Sequence, residues 1–343
     1  MSTGKRKKNR QQAIQEKKTQ LKKQVFFDPT YDPTFKKIFR KVPNLIHFLN
    51  AILHFEGNHK IIHVETLKPT IRLTAPAKKP RIVCFDIHAK TADGEFVDIE
   101  MQRASHDDFL DRIEQYSAML SINAKIALMN GATKKQQKDH PYLMPKVYSI
   151  WICNFNVDFC DHYHEEFALY RVSDIGKPAP LPIYPKKRYI IIDLTKYVPK
   201  KDNSPENEWI NLFKTMPYAR RVPKGKDEIL TEVYECMRIS KSTDKFITKV
   251  ATSMVDREEY NACMSTARRK GHEEGLVKGH AEGHAEGHAE GLAEGLAEGF
   301  AKGKKRGTAI ANRKIAARDK KITAYLRKNG VPLKLLNAAM SIK

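Results

Sequence analysis

Two periodicities govern the placement of apolar residues along the chain, and the switch between them lays out its elements. In DPTFKKIF, Phe35, Ile38 and Phe39 fall at helical spacing, with Asp32 as a candidate N-cap and Pro33 at the first helical position. A second helical segment runs from about Pro43 to Phe55 and carries Leu45, Phe48, Leu49, Ile52 and Leu53 on one face. From His63 the pattern changes to that of strands. IIHVETLKPTIRL, RIVCFDIHAK and EFVDIEMQR are three β-rich runs separated by Pro-containing or Asp-Gly turns. Residues 107–130 then predict one long helix closed by Gly131. PKVYSIWICNF, EEFALYRV and KKRYIIIDL predict further strands, and residues 205–270 are largely helical in composition. The expectation is an α/β fold, a mixed β-sheet flanked by helices.

The ends differ from this body. Residues 1–24 are polar and lack periodicity, which predicts a disordered basic arm. A domain over 25–225 follows, then a helical segment over 226–270. From Gly271 to Gly307 a glycine recurs every fourth residue, so ten of the seventeen glycines lie in one low-complexity repeat. On a helix the glycine stripe drifts by about 40° per repeat, and each glycine costs roughly 1 kcal/mol relative to alanine. Such a helix is weak alone, so the repeat either stays partly disordered or packs closely against another helix, which points to a homo-oligomer. Residues 308–343 predict a basic helical end.

Charge sharpens the same division. The net charge is +22; residues 1–24 contribute +8 and residues 302–343 contribute +12, leaving only +2 for the body. Basic ends on a near-neutral body suit a protein held on a polyanion by counterion release, although solvated tails serve solubility equally well. The five cysteines are scattered, with no Cys-x-x-Cys pair, which argues against a disulfide framework or structural zinc and fits a reducing compartment. No apolar run is long enough to span a membrane and no secretory leader is evident, so a cytoplasmic protein is expected. No phosphate-binding loop of the GxxxxGK[ST] kind occurs.

The candidate chemistry lies on either side of Ala92-Asp93-Gly94. Val83, Phe85, Ile87 and Ala89 alternate with Cys84, Asp86, His88 and Lys90; Val97, Ile99 and Met101 alternate with Asp98, Glu100 and Gln102. A two-residue turn would set Asp86 against Met101 and mismatch the faces. A three-residue loop with Gly94 left-handed sets Asp86 against Glu100 and His88 against Asp98. Opposed carboxylates repel, and a cation between them relieves the repulsion; Mg²⁺, with its oxygen ligands, is the natural choice. The competing reading is a half-exposed sheet with a solvated acidic face; His88 and Asp98 border the site and either tune it or, as the pattern favours, are exposed strand residues. His280, His284 and His288 at helical spacing, and His162 with His164 in FCDHYHEE, are weaker metal candidates, the latter because no matching second ligand pair follows.

FDIHAK…DGEFVDIEMQ, with DPTFKKIF and LNAIL before it and Arg112 and Tyr116 after it, resembles the PD-(D/E)XK nucleases. The likeness is to the branch with Gln where most members carry Lys, and within it to the recombination-promoting nuclease and transposase family. The resemblance implies a restriction-endonuclease-like sheet and a Mg²⁺-dependent DNA endonuclease, with Mn²⁺ or Ca²⁺ as substitute ions. Under it Asp86 and Glu100 bind metal and Gln102 orients the attacking water. Arg112, Tyr116 and Lys36 meet the DNA, though an ion pair with Asp108 or Glu100 would equally explain Arg112. The rival expectation is an inactive DNA-binding accessory protein that keeps the fold and oligomerises through its repeat.

Overall fold

In the computed structural model, the described residues are 3–72, 82–105, 107–174, 176, 178, 180–200 and 202–341. The chain divides into two units, 1–260 and 261–343.

In the first unit, α1 (Thr3–Leu21), α2 (Asp32–Phe39) and α3 (Val42–Leu53) precede the strands. Strands β1 (Val64–Thr66), β2 (Thr70–Arg72), β3 (Ile82–Cys84), β4 (Ile87–Thr91) and β5 (Phe96–Gln102) follow. Then come α4 (Phe109–Gly131), the single-turn α5 (Lys134–Asp139), β6 (Val147–Cys153), β7 (His164–Leu169) and β8 (Tyr184–Asp193). Helices α6 (Pro205–Thr215), α7 (Glu228–Cys236) and the start of α8 (Asp244–Lys328) complete the unit.

The main sheet has the order β1-β4-β5-β6-β8-β7, with β5, β6 and β8 parallel and the remaining pairs antiparallel. Its parallel centre must be covered on both sides, and the sequence supplies both covers. Tyr148, Ile150 and Ile152 of β6, with Val97, Ile99 and Met101 of β5, enter one core shared with α2, α3, α6 and α7. Val147, Trp151 and Cys153 point the other way, to clusters built on α4. The first core is rich in rings: Trp209 stacks on Phe39 with centroids 5.8 Å apart and meets Phe48 edge-on at 5.4 Å. Burying each such side chain contributes about 1.5–3 kcal/mol. The mixed α/β sheet expected from the pattern is the fold observed.

Three local expectations change. Residues 3–21 are helical, so the first 24 residues are not a disordered arm: Leu21 is buried, Ile14 packs on the core, and Arg10 and Lys18 pair with Asp256 and Asp244 of α8. Tertiary contacts make up for a sequence without a strong apolar stripe. Asp32 is not the cap of α2; Tyr31 holds that position without a side-chain bond, and Asp32 pairs with Lys36 one turn on. RIVCFDIHAK is not one strand. β3 pairs with β2 as a separate ribbon, and β4 pairs with β5. Between them the alternation slips: Phe85 lies with Phe96 on the α4 side, whereas Ile87 and Ala89 face the large core. Asp86 sits at that slip.

The second unit is helical. α8 runs through the whole glycine repeat, and an added Cβ at any of its glycines would meet open space, so no close packing demands them there. The repeat is a helix, which its sequence left open. Beyond Gly330, in a left-handed conformation, a short α9 (Leu333–Met340) begins and buries Leu336. Among the described residues no helix is long and apolar enough to cross a membrane.

Candidate active site

The β4–β5 hairpin fixes the site. Gly94 takes φ +76°, and Thr91 N donates to Glu95 O at 2.9 Å, closing the three-residue loop Ala92-Asp93-Gly94. The register follows as face-matching demanded: His88 pairs with Asp98 and Ile87 with Ile99, so Asp86 comes level with Glu100. Asp86 N donates to Glu100 Oε1 at 2.9 Å, and Met101 N donates to Asp86 Oδ2 at 3.0 Å. Each acid is thus held by the backbone of the other's strand. Gln102 Nε2 donates to Glu100 Oε2 at 3.3 Å.

The acidic face is not solvated. Asp98 is 0% exposed, Glu100 2% and Gln102 8%, and His88 is buried with them. α4 and Phe85 cover this face, which rules out the half-exposed sheet. Burial first, and the neighbouring Asp86 charge second, push the Glu100 carboxyl up to about 8. Asp98 is driven well above the carboxylate range by burial, with Glu100 and Asp86 adding to it. Among the described residues no N–H group donates to either Asp98 oxygen, and the polar group it meets is the Glu100 carboxyl. The His88 ring binds the Lys68 carbonyl through Nδ1 at 3.0 Å, and burial lowers its pKa, so it stays neutral.

One cation enters from outside the hairpin. Lys36 Nζ lies 3.0 Å from Asp86 Oδ1 and also pairs with Asp32. Burial opposes the ammonium, but the Asp86 and Asp32 carboxylates outweigh it and raise its pKa above the usual lysine value. Asp86 itself is raised by burial, against which Lys36 pulls. The charge that Gln102 lacks on the strand therefore arrives on α2. Arg103, which follows Gln102, anchors the segment leading to α2: it binds Asp28 Oδ2 at 2.9 Å and lies 3.8 Å over the Tyr31 ring.

Arg112 and Tyr116 share a face of α4, and Arg112 Nη2 donates to Tyr116 Oη at 3.3 Å. The Arg112 charge also acts on Glu100 and Asp98. Tyr116 meets Phe85 and Trp151 edge-on. The structure thus brings Lys36, Asp86, Glu100, Gln102, Arg112 and Tyr116 to one end of the sheet. Asp98 and His88, expected at the border of the site as exposed strand residues, are instead buried, because their alternation with Glu100 puts them on the same covered face. Arg103 carried no signal beyond its adjacency to Gln102.

The residues present suit a divalent ion of hard character. Asp86 and Glu100 supply carboxylate oxygens a strand apart, and Asp98 beneath is a third buried carboxyl that a bound cation would help to ionise.

No curated protein and no solved structure matches the chain in comparison. A family model described as PD-(D/E)XK nuclease family transposase matches residues 29–267, a span that contains the whole hairpin, α2 and α4. The chain belongs to the PD-(D/E)XK nuclease family transposases.

Proposed function

We propose that the protein is a Mg²⁺-dependent endonuclease that hydrolyses DNA phosphodiester bonds at the Asp86–Glu100–Gln102 site. Family membership gives a nuclease-like, mobile-element-related role. The observation that carries the finer reading is the buried convergence of the Asp86, Glu100 and Asp98 carboxyls around one hairpin end.

Asp86 and Glu100 would hold the ion, with Mn²⁺ or Ca²⁺ able to replace it. When bound, the ion lowers the pKa of a coordinated water and offsets charge on the phosphoryl oxygens. The chain's own groups do the rest. Gln102 keeps its amide on Glu100 Oε2 and so fixes the carboxylate's direction, while its amide oxygen is an acceptor for a water proton. Lys36 stays protonated, so it serves as a positive charge toward the phosphate and not as a base. Arg112, steadied by Tyr116, offers its guanidinium to a second phosphate oxygen. The products would be 3′-hydroxyl and 5′-phosphate ends.

A route for the DNA backbone adjoins the site. Lys36 of α2 and Arg40 just beyond it border a cavity of about 810 Å³ with Lys245, Thr248 and Lys249 of α8; Asp32 and Asp256 also line it. Lysines among hydroxyls suit phosphates without reading sequence. Leu292, Leu296 and Phe300 stand exposed along the repeat, which favours a homo-oligomer formed there.

The test is nicking of supercoiled plasmid with and without Mg²⁺ by the wild type, Asp86→Ala and Glu100→Ala. Cleavage should fall at least about 10³-fold in both variants, with DNA retention unchanged. Equal cleavage by all three sinks the assignment. A wild type that retains DNA but neither binds Mg²⁺ nor cuts would establish the accessory-protein reading instead.

A further inference from the structure

We propose a second metal site in the first unit, built by His54, His164 and Glu206, that takes a transition-metal ion of the Zn²⁺ type and clamps the edge strand β7 to α3 and α6.

The three side chains come from separate elements. His54 ends α3, His164 opens β7, and Glu206 lies in the first turn of α6. One ligand atom from each falls within 4.8 Å of the others. His164 Nδ1 is 2.6 Å from Glu206 Oε1, and His54 Nε2 is 3.4 Å from Glu206 Oε2. Bonds of about 2.0–2.2 Å to an ion place tetrahedral ligand atoms a little over 3 Å apart, so only a small opening of the His164–Glu206 contact is needed.

Two further observations point to a ligand. Among the described non-glycine residues, His54 alone has a positive φ, +54°. A helix ending there favours Gly or Asn, and histidine accepts the strain to present its ring. That ring stacks on His164 with centroids 5.4 Å apart. The other nitrogen of His164 faces Glu166 at 3.8 Å, and Glu166 is itself paired with Arg188. A ligand histidine whose far nitrogen meets a carboxylate, which is in turn held by a cation, is the arrangement that orients metal-binding imidazoles. His54 remains mostly exposed at 59%, which leaves room for water as a fourth ligand.

The donor set separates this site from the hairpin. Two imidazoles and a carboxylate favour a borderline ion, whereas the all-oxygen hairpin favours Mg²⁺. Position separates them too. His164 pairs with Ile192, Ile192 with Ile152, and Ile152 with Met101, so His164 shares the face of Met101, opposite Glu100. Three strand spacings, roughly 14 Å, lie between.

The experiment is calorimetric titration of the metal-depleted full chain with Zn²⁺, and with Co²⁺ read by its visible absorption. It is run in the wild type and in a version with His280, His284 and His288 all changed to Gln, which removes the repeat as a competing site. Expected are one ion per chain in the latter, a visible spectrum of low-coordinate Co²⁺, and a Zn²⁺-dependent rise in melting temperature. His54→Gly suits the left-handed backbone and should fold; it should lower affinity at least about 10-fold, as should Glu166→Gln. The titration is made in excess Mg²⁺, which fills the hairpin, so failure of nicking and failure of Zn²⁺ binding are distinguishable. Absence of stoichiometric binding, or unchanged binding in His54→Gly, would overturn the proposal and leave a hydrogen-bonded His–Glu cluster.

Discussion

Asp98 and Asp193 are both fully buried aspartates on parallel central strands of one sheet, yet they live in opposite surroundings. Asp193 accepts from Val157 N at 2.8 Å, Thr195 N at 2.8 Å and Thr195 Oγ1 at 2.7 Å, with Lys196 Nζ 3.3 Å away. Burial pushes its carboxyl up, but these donors win and hold it below its ordinary value. Asp98 has no N–H donor and two carboxyl neighbours, and its pKa rises. The first pattern ties a loop to the end of β8 and serves the fold. The second costs stability, and such a cost persists at functional sites.

Four measurements press on that contrast. Asp193→Ala removes the acceptor for several buried donors and should destabilise the protein by about 3 kcal/mol in urea unfolding. A loss below about 1 kcal/mol would mean that its hydrogen bonds are not structural. Lys36→Met should lower plasmid nicking about 10–100-fold with the fold intact, the loss of one charged contact in a water-poor site. Full activity would reduce Lys36 to a surface ion pair. Asp98→Asn should raise metal-free stability by about 1 kcal/mol, since the amide removes a buried carboxyl without a donor while keeping its shape. A lower melting temperature would place Asp98 with Asp193.

The last is pH. Asp193, depressed in the folded state, contributes stability that is present above its unfolded value of 3.8 and is lost as pH falls through its folded pKa. Glu100, raised to about 8, contributes stability that is present below its unfolded value of 4.5 and is lost as pH rises through 8. Metal-free protein should therefore lose a few degrees of melting temperature between about pH 5 and pH 8, and Glu100→Gln should flatten that decline. A flat wild-type profile would show that Glu100 is charged throughout.

The hairpin register was legible because one glycine and the matching of faces leave a single loop length. What lay beyond it depended on partners distant in the chain. Alternation told that Asp98 and Glu100 share a face but not that α4 covers it. The slip at Asp86 broke the period without any Gly or Pro to mark it. Lys36 was expected to face DNA, and only the docking of α2, through Arg103 and Asp28, turns it toward Asp86. His164 was weighed against its neighbours in FCDHYHEE, while its partners stand 110 residues before it and 42 after it.

The Ala92-Asp93-Gly94 loop has a consequence for how this chain tolerates change. Surface loops usually absorb insertions and deletions freely. Here the loop length acts as a reading frame: if Asp93-Gly94 alone turned the chain and Ala92 were drawn into the strand opposite Glu95, every residue beyond would meet the wrong partner, and Asp86 would face Met101. The three residues of this loop are thus the ones whose number, more than whose identity, the chemistry depends on.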